Sequence, residues 1–141
     1  MFPRYLAEPI KRALEDRPVV LLLGGRQVGK STLAQALVAE GRLDRYLTLD
    51  DLTLLAAAQL DPQGFLSGLQ GRVVLDEVQR APDLFLPLKA LVDRDRRPGR
   101  FLLTGSANVL ALPRAAEHLV GRVALFTLWP LSQGALAGRK E

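Results

Sequence analysis

Short apolar runs alternate with longer amphipathic segments along this chain. Each run is mostly apolar and has the length of a strand, which predicts five buried strands: Val19 to Leu23, Tyr46 to Leu49, Arg72 to Leu75, Arg100 to Leu103, and Val123 to Leu128. Continuous runs of this kind suit strands that are covered on both faces, as in a parallel sheet. The pattern therefore predicts an α/β fold built on a five-stranded parallel sheet.

Apolar residues at helical spacing predict helices between these strands. The predicted helices are an opening one from about Pro3 to Asp16, then Lys30 to Glu40, Leu52 to Leu60, Leu84 to Val92, and a shorter one around Arg114 to Leu119. Turn-forming residues separate them: Gly41 closes the second helix, Asp61, Pro62 and Gly64 break the third, and Pro82 with Asp83 starts the fourth.

Composition narrows the class of protein. With 141 residues, 48% apolar and 24% charged, the chain is the size of one globular domain. It has no cysteine, which excludes disulfides and thiolate metal sites, and His118 is the sole histidine, which argues against zinc. The longest wholly apolar stretch, Val19 to Gly25, is too short to span a membrane. We therefore expect a cytoplasmic protein with no membrane partner.

The net charge of +4 permits contact with nucleic acid without demanding it. Fifteen of the nineteen basic residues are arginines, and they are scattered through every segment. The exception is a tight cluster formed by Arg94, Arg96, Arg97 and Arg100. We interpret this arginine cluster as part of a solvated loop between two elements, with polyanion binding as the alternative.

The segment from Gly24 to Thr32 reads GGRQVGKST and matches the phosphate-binding pattern G-x-x-x-x-G-K-[ST]. A predicted strand precedes it and a predicted helix follows, so that backbone N–H groups and a helix N-terminus converge on one anion. Lys30 is expected to reach the β- and γ-phosphates, and the Ser31 hydroxyl to ligate Mg²⁺. The candidate nucleotide-binding residues are Gly24, Gly25, Arg26, Gln27, Val28, Gly29, Lys30, Ser31 and Thr32.

An acidic pair, Asp76 and Glu77, follows the third predicted strand. Ligands of open α/β sheets gather at the carboxyl ends of the strands, so the pair is expected to lie beside the phosphate loop. We expect Asp76 to hold Mg²⁺ through water, and Glu77 to polarise the water that attacks the γ-phosphorus. The alternative is a pair of carboxylates that simply face solvent.

Small polar residues also follow the fourth predicted strand, from Thr104 to Asn108. The hydroxyls of Thr104 and Ser106 are candidates to sense the γ-phosphate and to hold the attacking water. A capping turn before the next helix is the alternative, and for Asn108 the two interpretations weigh equally.

Other charged residues allow two interpretations each. Arg122, at the entry to the fifth predicted strand, is either a surface charge or a residue that reaches a phosphate. For Asp50 and Asp51, at the end of the second predicted strand, we favour a helix N-cap.

These motifs resemble the AAA+-like prokaryotic P-loop ATPases, in particular a family that joins such a domain to a C-terminal domain of unknown function. The segments that carry the resemblance are Gly24 to Thr32, Leu75 to Phe85 (LDEVQRAPDLF), Phe101 to Ser106 (FLLTGS), Leu119 to Arg122 (LVGR) and Leu128 to Leu131 (LWPL). The resemblance implies a three-layer α/β sandwich with strand order 5-1-4-3-2, and ATP with Mg²⁺ as ligands.

The same resemblance implies a role for each site residue. Lys30 and Ser31 take the Walker A role, Asp76 that of Walker B, and Glu77 that of the catalytic glutamate. The turn from Thr104 to Ser106 takes the place of the sensor. Arg122 lies where AAA+ proteins carry an arginine finger that acts on a neighbouring subunit, so the resemblance also implies a homo-oligomer.

The sequence departs from this family in two ways. It stops where the family's second domain would begin, so we expect an ATPase domain over residues 1–128 and a tail over 129–141. Ala135 stands where similar sequences often carry an acidic residue.

The leading hypothesis is therefore a Mg²⁺-dependent ATP hydrolase that acts as a conformational switch or motor subunit. The alternatives are a nucleotide-gated binding module and a small-molecule kinase. The client on which the protein acts is not identified, and a nucleic acid and a protein are both candidates. A guanine-nucleotide switch is disfavoured, because Asn108 is the sole asparagine and Val109 follows it, so the guanine-reading N-K-x-D element is missing.

Overall fold

The computed structural model of the chain describes residues 4–24, 30–106 and 123–128. Its strands are β1 (Val19–Gly24), β2 (Arg45–Thr48), β3 (Val73–Asp76), β4 (Phe101–Gly105) and β5 (Val123–Leu128). Its helices are α1 (Arg4–Asp16), α2 (Lys30–Ala39), α3 (Leu52–Leu60), α4 (Pro62–Ser67) and α5 (Phe85–Arg94), and two short 3-10 helices span Val78–Arg80 and Pro82–Leu84. The five predicted strands are all present, with bounds within two residues of those predicted.

All neighbouring strands pair in parallel, in the order β2-β3-β4-β1-β5. This is the predicted order 5-1-4-3-2, and it confirms the fold class. The register pairs Leu75 of β3 with Leu103 of β4, and Leu22 of β1 with Thr104. The carboxyl ends of β1, β3 and β4 therefore lie side by side, and residues that are far apart in the chain meet there.

Helices cover the sheet on both faces, which gives three layers. Alternate residues of β1 point to opposite sides. Val19, Leu21 and Leu23 belong to a core that contains residues of α3, α4 and α5, whereas Val20 and Leu22 belong to a second core with residues of α1 and α2. Burial on both sides explains why the central strands β1, β3 and β4 are apolar runs and not alternating patterns. The prediction of buried strands is wrong for the two edge strands: β2 is only partly buried, and Leu125 of β5 is 59% exposed.

Helix α4 was not predicted. The residues that were expected to break the preceding helix do end α3 at Leu60, but they also begin a new helix. The Asp61 carboxylate accepts a hydrogen bond from Gly64 N at 3.0 Å, and Pro62 occupies the first turn of α4. Aspartate at an N-cap followed by proline is a helix start signal, and these residue types also mark turns.

The remaining differences lie at the ends of elements. Strand β4 continues to Gly105, so Thr104 lies inside the strand and not in the turn after it. Helix α5 begins at Phe85 and ends at Arg94, after the 3-10 helix that contains Pro82. The helix predicted around residues 114–119 lies outside the described residues. Within the described ranges, no helix has the length and apolar character needed to cross a membrane.

The interpretation of the arginine cluster as a solvated loop is wrong for Arg100. Its side chain is 4% exposed, and its guanidinium donates to the carbonyl oxygens of Leu69, at 2.6 Å, and Gly71. These hydrogen bonds satisfy the buried guanidinium, because buried polar groups need hydrogen bonds. Arg100 therefore fastens the segment before β3 to the start of β4.

The other members of the cluster are exposed and lie among aspartates. The Arg97 guanidinium contacts Asp95 at 2.6 Å, and Arg96 lies 3.5 Å from Asp93. The hydrogen bonds from Arg97 hold the pKa of Asp95 well below its usual range. These aspartates offset part of the positive charge of the cluster.

Candidate nucleotide site

The described ends of the phosphate-binding motif lie on β1 and α2, the strand and the helix that were predicted to flank it. Gly24 is the last residue of β1 and is buried, and Lys30 is the first residue of α2. The Lys30 side chain is 2% exposed. A helix N-terminus carries partial positive charge, so the helix and the ammonium group together favour an anion at this end of the sheet. Thr32 lies on the exposed side of α2.

Asp76, the last residue of β3, is surrounded by hydroxyl groups. Thr104 Oγ1 donates a hydrogen bond to Asp76 Oδ1, and Tyr46 Oη donates to Oδ2 at 2.8 Å. Ser31 Oγ lies 3.3 Å and 3.4 Å from the two carboxylate oxygens. These donors come from α2, β2 and β4, and they satisfy a carboxylate that is 3% exposed.

Sequence reasoning missed Tyr46, which it placed only as the first residue of a strand. Burial, followed by the hydrogen bonds with Ser31 and Asp76, shifts its pKa, and the net direction is upward. The phenol therefore stays protonated at neutral pH and keeps donating to the carboxylate. The sequence offered little signal, because the strand also contains Arg45 and Thr48 and a tyrosine there could equally be exposed.

Glu77 directly follows Asp76 and adopts a left-handed backbone conformation, with φ 62° and ψ 47°. It is the one non-glycine residue with positive φ among those described. Such a conformation costs on the order of 1 kcal/mol and concentrates at functional sites. The Glu77 N–H donates to Thr104 Oγ1 at 3.1 Å, and its Oε2 lies 4.0 Å from Lys30 Nζ. Glu77 is 5% exposed, so the expectation that it faces the site, and not open solvent, agrees with the geometry.

Gln79 was also missed. Its Nε2 donates to Glu77 Oε1 at 2.7 Å, and its Oε1 accepts from the Ser106 N–H at 3.1 Å. Gln79 lies in the 3-10 helix after β3, and Ser106 follows β4. The sequence offered little signal beyond a polar residue two positions after the acidic pair, because the link forms only when the two strand ends meet.

The second acidic pair divides into two roles. Asp51 caps α3, as favoured, because its carboxylate accepts from Thr53 N at 2.9 Å and Leu54 N at 3.4 Å. Asp50 lies 2.9 Å from Arg80 Nε. Carboxylate oxygens of Asp50, Asp76 and Glu77 lie within 4.8 Å of one another, so Asp50 borders the site that the sequence assigned to the other two.

The structure thus brings together Lys30, Ser31, Asp76, Glu77 and Thr104, with Ser106 tied to them through a glutamine. Gly24, at the end of β1, and Thr32, on α2, are described as well. The remaining predicted site residues lie outside the described residues: Gly25, Arg26, Gln27, Val28, Gly29, Asn108 and Arg122. The roles of all these residues stay predictions. Ala135 lies outside the described residues too.

Comparison with known proteins identifies the family. The family described as AAA domain matches residues 16–137. Two uncharacterized mycobacterial proteins, from Mycobacterium bovis and Mycobacterium tuberculosis, are each 45% identical over 126 residues, which is 89% of this chain. The chain spans about 28% of the length of these relatives. The family match covers most of the sequence, and the chain belongs to the AAA domain family.

Solved structures show the same fold at low identity. A DNA replication initiation factor superposes with a TM-score of 0.58 and 16% identity, over 94% of this chain and 48% of that one. The P-loop NTPase domain of a sigma-54 transport activator from E. coli superposes with a TM-score of 0.55 and 19% identity, over 93% of this chain and 99% of that one. These likenesses support the P-loop NTPase fold.

Proposed function

We propose that this AAA domain binds ATP with Mg²⁺ and hydrolyses it. The observation that carries the proposal is the meeting of a buried ammonium, a hydroxyl and two carboxylates at the carboxyl ends of β1 and β3. Lys30 Nζ lies 4.0 Å from Glu77 Oε2, and Ser31 Oγ lies 3.3 Å from Asp76 Oδ1. These are the groups that phosphoryl transfer requires: a cation for the phosphates, oxygen ligands for a metal, and a base for water.

Lys30 is assigned to the β- and γ-phosphates. Its ammonium is buried beside Glu77 at the N-terminus of α2, where a charge acts in a less polar medium than water. A triphosphate would bring a stronger negative charge than one carboxylate, so Lys30 would move toward it. The expected result is affinity for nucleotides that carry both phosphates.

Ser31 and Asp76 fit Mg²⁺. The ion prefers oxygen ligands, and a serine hydroxyl beside a carboxylate supplies them without a dedicated cage. When bound, Mg²⁺ offsets negative charge that develops on the transferring phosphoryl group. The hydroxyls of Tyr46 and Thr104 hold the Asp76 carboxylate in place for this role.

Glu77 is assigned to the attacking water. Its carboxylate is held beside Asp76 by a strained backbone and by the hydrogen bond from Gln79. A positioned carboxylate can accept the proton that water loses. Glu77 comes directly after Asp76, the proposed Mg²⁺ ligand. An acidic residue in this position favours hydrolysis over the transfer of a phosphoryl group to a small acceptor, because kinases, which catalyse such transfer, exclude water.

The finer roles extend this proposal. Thr104 and Ser106 act as the sensor of the γ-phosphate, and Arg122 as a finger supplied to a neighbouring subunit of a homo-oligomer. The domain works as a switch or motor subunit in the cytoplasm, where ATP is available. A nucleic acid or a protein is its client, and DNA is the first polyanion to test, because one structural neighbour is a DNA replication initiation factor. The division into an ATPase domain (1–128) and a tail (129–141) stays a prediction.

The first experiment tests binding. Calorimetric titration with ATP and Mg²⁺ should show that Lys30→Ala loses affinity by at least about a hundredfold while the protein stays folded. Lys89→Ala is the matched control, because it removes a half-buried lysine from α5 and should bind as the parent does. Equal affinity of Lys30→Ala and the parent would refute the assignment of Lys30.

The second experiment tests hydrolysis. Glu77→Gln keeps the shape of the side chain but removes the carboxylate, so it should bind ATP and release phosphate at least about a hundredfold more slowly. Glu8→Gln, on the exposed surface of α1, should match the parent. Measuring phosphate release with and without DNA or small acceptors separates the alternatives. ATP binding with no turnover under any condition would favour the nucleotide-gated binding module, and acceptor-dependent loss of ATP would favour the kinase.

A further inference from the structure

Gln79 links Glu77, the candidate catalytic residue, to the end of strand β4. Its side-chain amide donates to Glu77 Oε1 at 2.7 Å and accepts from the Ser106 N–H at 3.1 Å. One side chain therefore holds a carboxylate that follows β3 and a main-chain group that follows β4. The amide can do both, because its nitrogen is a donor and its oxygen is an acceptor.

The turn that carries Gln79 is itself fixed. The 3-10 helix Val78–Arg80 begins after Glu77, and the Arg80 N–H donates to the Glu77 carbonyl at 3.1 Å. The Glu77 N–H in turn donates to Thr104 Oγ1 on β4. The backbone of Glu77 is thus anchored to β4 through Thr104, and its carboxylate is anchored to the end of β4 through Gln79.

We propose that Gln79 is a positioning residue that orients the Glu77 carboxylate and couples this orientation to the main chain at Ser106. The proposal rests on the proposed function, because the orientation matters for hydrolysis. The amide restrains the rotation of the carboxylate, so that its second oxygen stays on the side of Lys30, 4.0 Å from Nζ. A shift of the main chain at Ser106 on nucleotide binding would reach Glu77 through this one amide.

Steady-state kinetics test the positioning role. Gln79→Met keeps the length of the side chain and loses both hydrogen bonds, so kcat should fall about tenfold or more while KM and ATP affinity stay within about twofold. Gln63→Met, on the exposed surface of α4, is the matched control and should match the parent. In a Glu77→Gln background, Gln79→Met should add no further loss, because Gln79 acts through Glu77.

A second variant separates the two arms of the link. Gln79→Glu can still accept from the Ser106 N–H but cannot donate to Glu77, and it places a second carboxylate beside the first. Its kcat should fall at least as far as that of Gln79→Met. Amide hydrogen exchange at Ser106, measured by NMR without nucleotide, should accelerate about tenfold in Gln79→Met and stay at the parent rate in Gln79→Glu.

The outcomes distinguish this proposal from the function on which it rests. Unchanged Ser106 exchange in Gln79→Met would overturn the link whether or not the protein hydrolyses ATP. A kcat of Gln79→Met within twofold of the parent, or an additive loss in the Glu77→Gln background, would overturn the positioning role. A parent that neither binds nor hydrolyses ATP would refute the proposed function and with it the role in hydrolysis, while the exchange data would still decide the link.

Discussion

Replacing Thr104 by valine tests the arrangement of the site most directly. Thr104 is fully buried at the end of β4, and its hydroxyl has two partners. It donates to Asp76 Oδ1 and accepts from the Glu77 N–H at 3.1 Å. Valine has nearly the same shape and no hydroxyl, so the substitution removes both hydrogen bonds without opening a cavity.

The expected loss of stability follows from the two hydrogen bonds that Thr104→Val removes. The hydrogen bond to the Asp76 carboxylate contributes about 1.5–3 kcal/mol, and an orphaned buried N–H at Glu77 costs about 1–3 kcal/mol. Asp76 keeps its contacts with Ser31 and Tyr46, and the added methyl group recovers up to about 1 kcal/mol. We expect Thr104→Val to lower the free energy of unfolding by about 2–4 kcal/mol.

Urea denaturation measures this loss, with Thr104→Ser as the control. Serine keeps the hydroxyl and removes one methyl group, so it should lose only about 1 kcal/mol. If Thr104→Val lost less than about 0.5 kcal/mol, or if serine were as harmful as valine, the hydroxyl would not support the two carboxylates. Phosphate release by Thr104→Val should fall too, because Asp76 and Glu77 both lose a restraint.

Three further predictions concern other parts of the chain. Gly99→Ala should lower the free energy of unfolding by about 2–4 kcal/mol in a urea titration, because φ is +72° and a Cβ would lie 2.8 Å from a main-chain oxygen of α1. Gly41→Ala is the control: φ is +82° but the space around it is open, so its free energy of unfolding should fall by only about 1 kcal/mol. Asp95→Asn should lower the free energy of unfolding by about 1–2 kcal/mol at pH 7. This difference should shrink as the pH falls below about 4, because the lowered pKa of Asp95 stabilises the fold only while the carboxylate is charged. A constant difference down to pH 2 would contradict this. Arg122→Ala should bind ATP normally but stay slow at every protein concentration, whereas the specific activity of the parent should rise as subunits meet; a parent activity strictly proportional to concentration would leave Arg122 a surface residue.

The sequence alone determined the strands, their parallel arrangement and the position of the phosphate loop. These features are local: a strand buried on both faces must be apolar throughout, and the loop needs its glycines and Lys30 in one continuous segment. The N-cap at Asp51 was predictable for the same reason, since its partners lie two and three residues away. The strand order 5-1-4-3-2 came from the resemblance of the motifs to a family and not from these local patterns.

Only the tertiary structure decided which side chains support the site. Tyr46 reaches Asp76 across 30 positions of sequence, and Gln79 reaches Ser106 across 27. Arg100 is buried with its guanidinium donating to carbonyl oxygens that lie 29 and 31 positions earlier in the chain. Each of these polar side chains gives the same local signal as an exposed one. Its partner is set by the register of parallel strands, and that register is fixed only when the whole sheet packs.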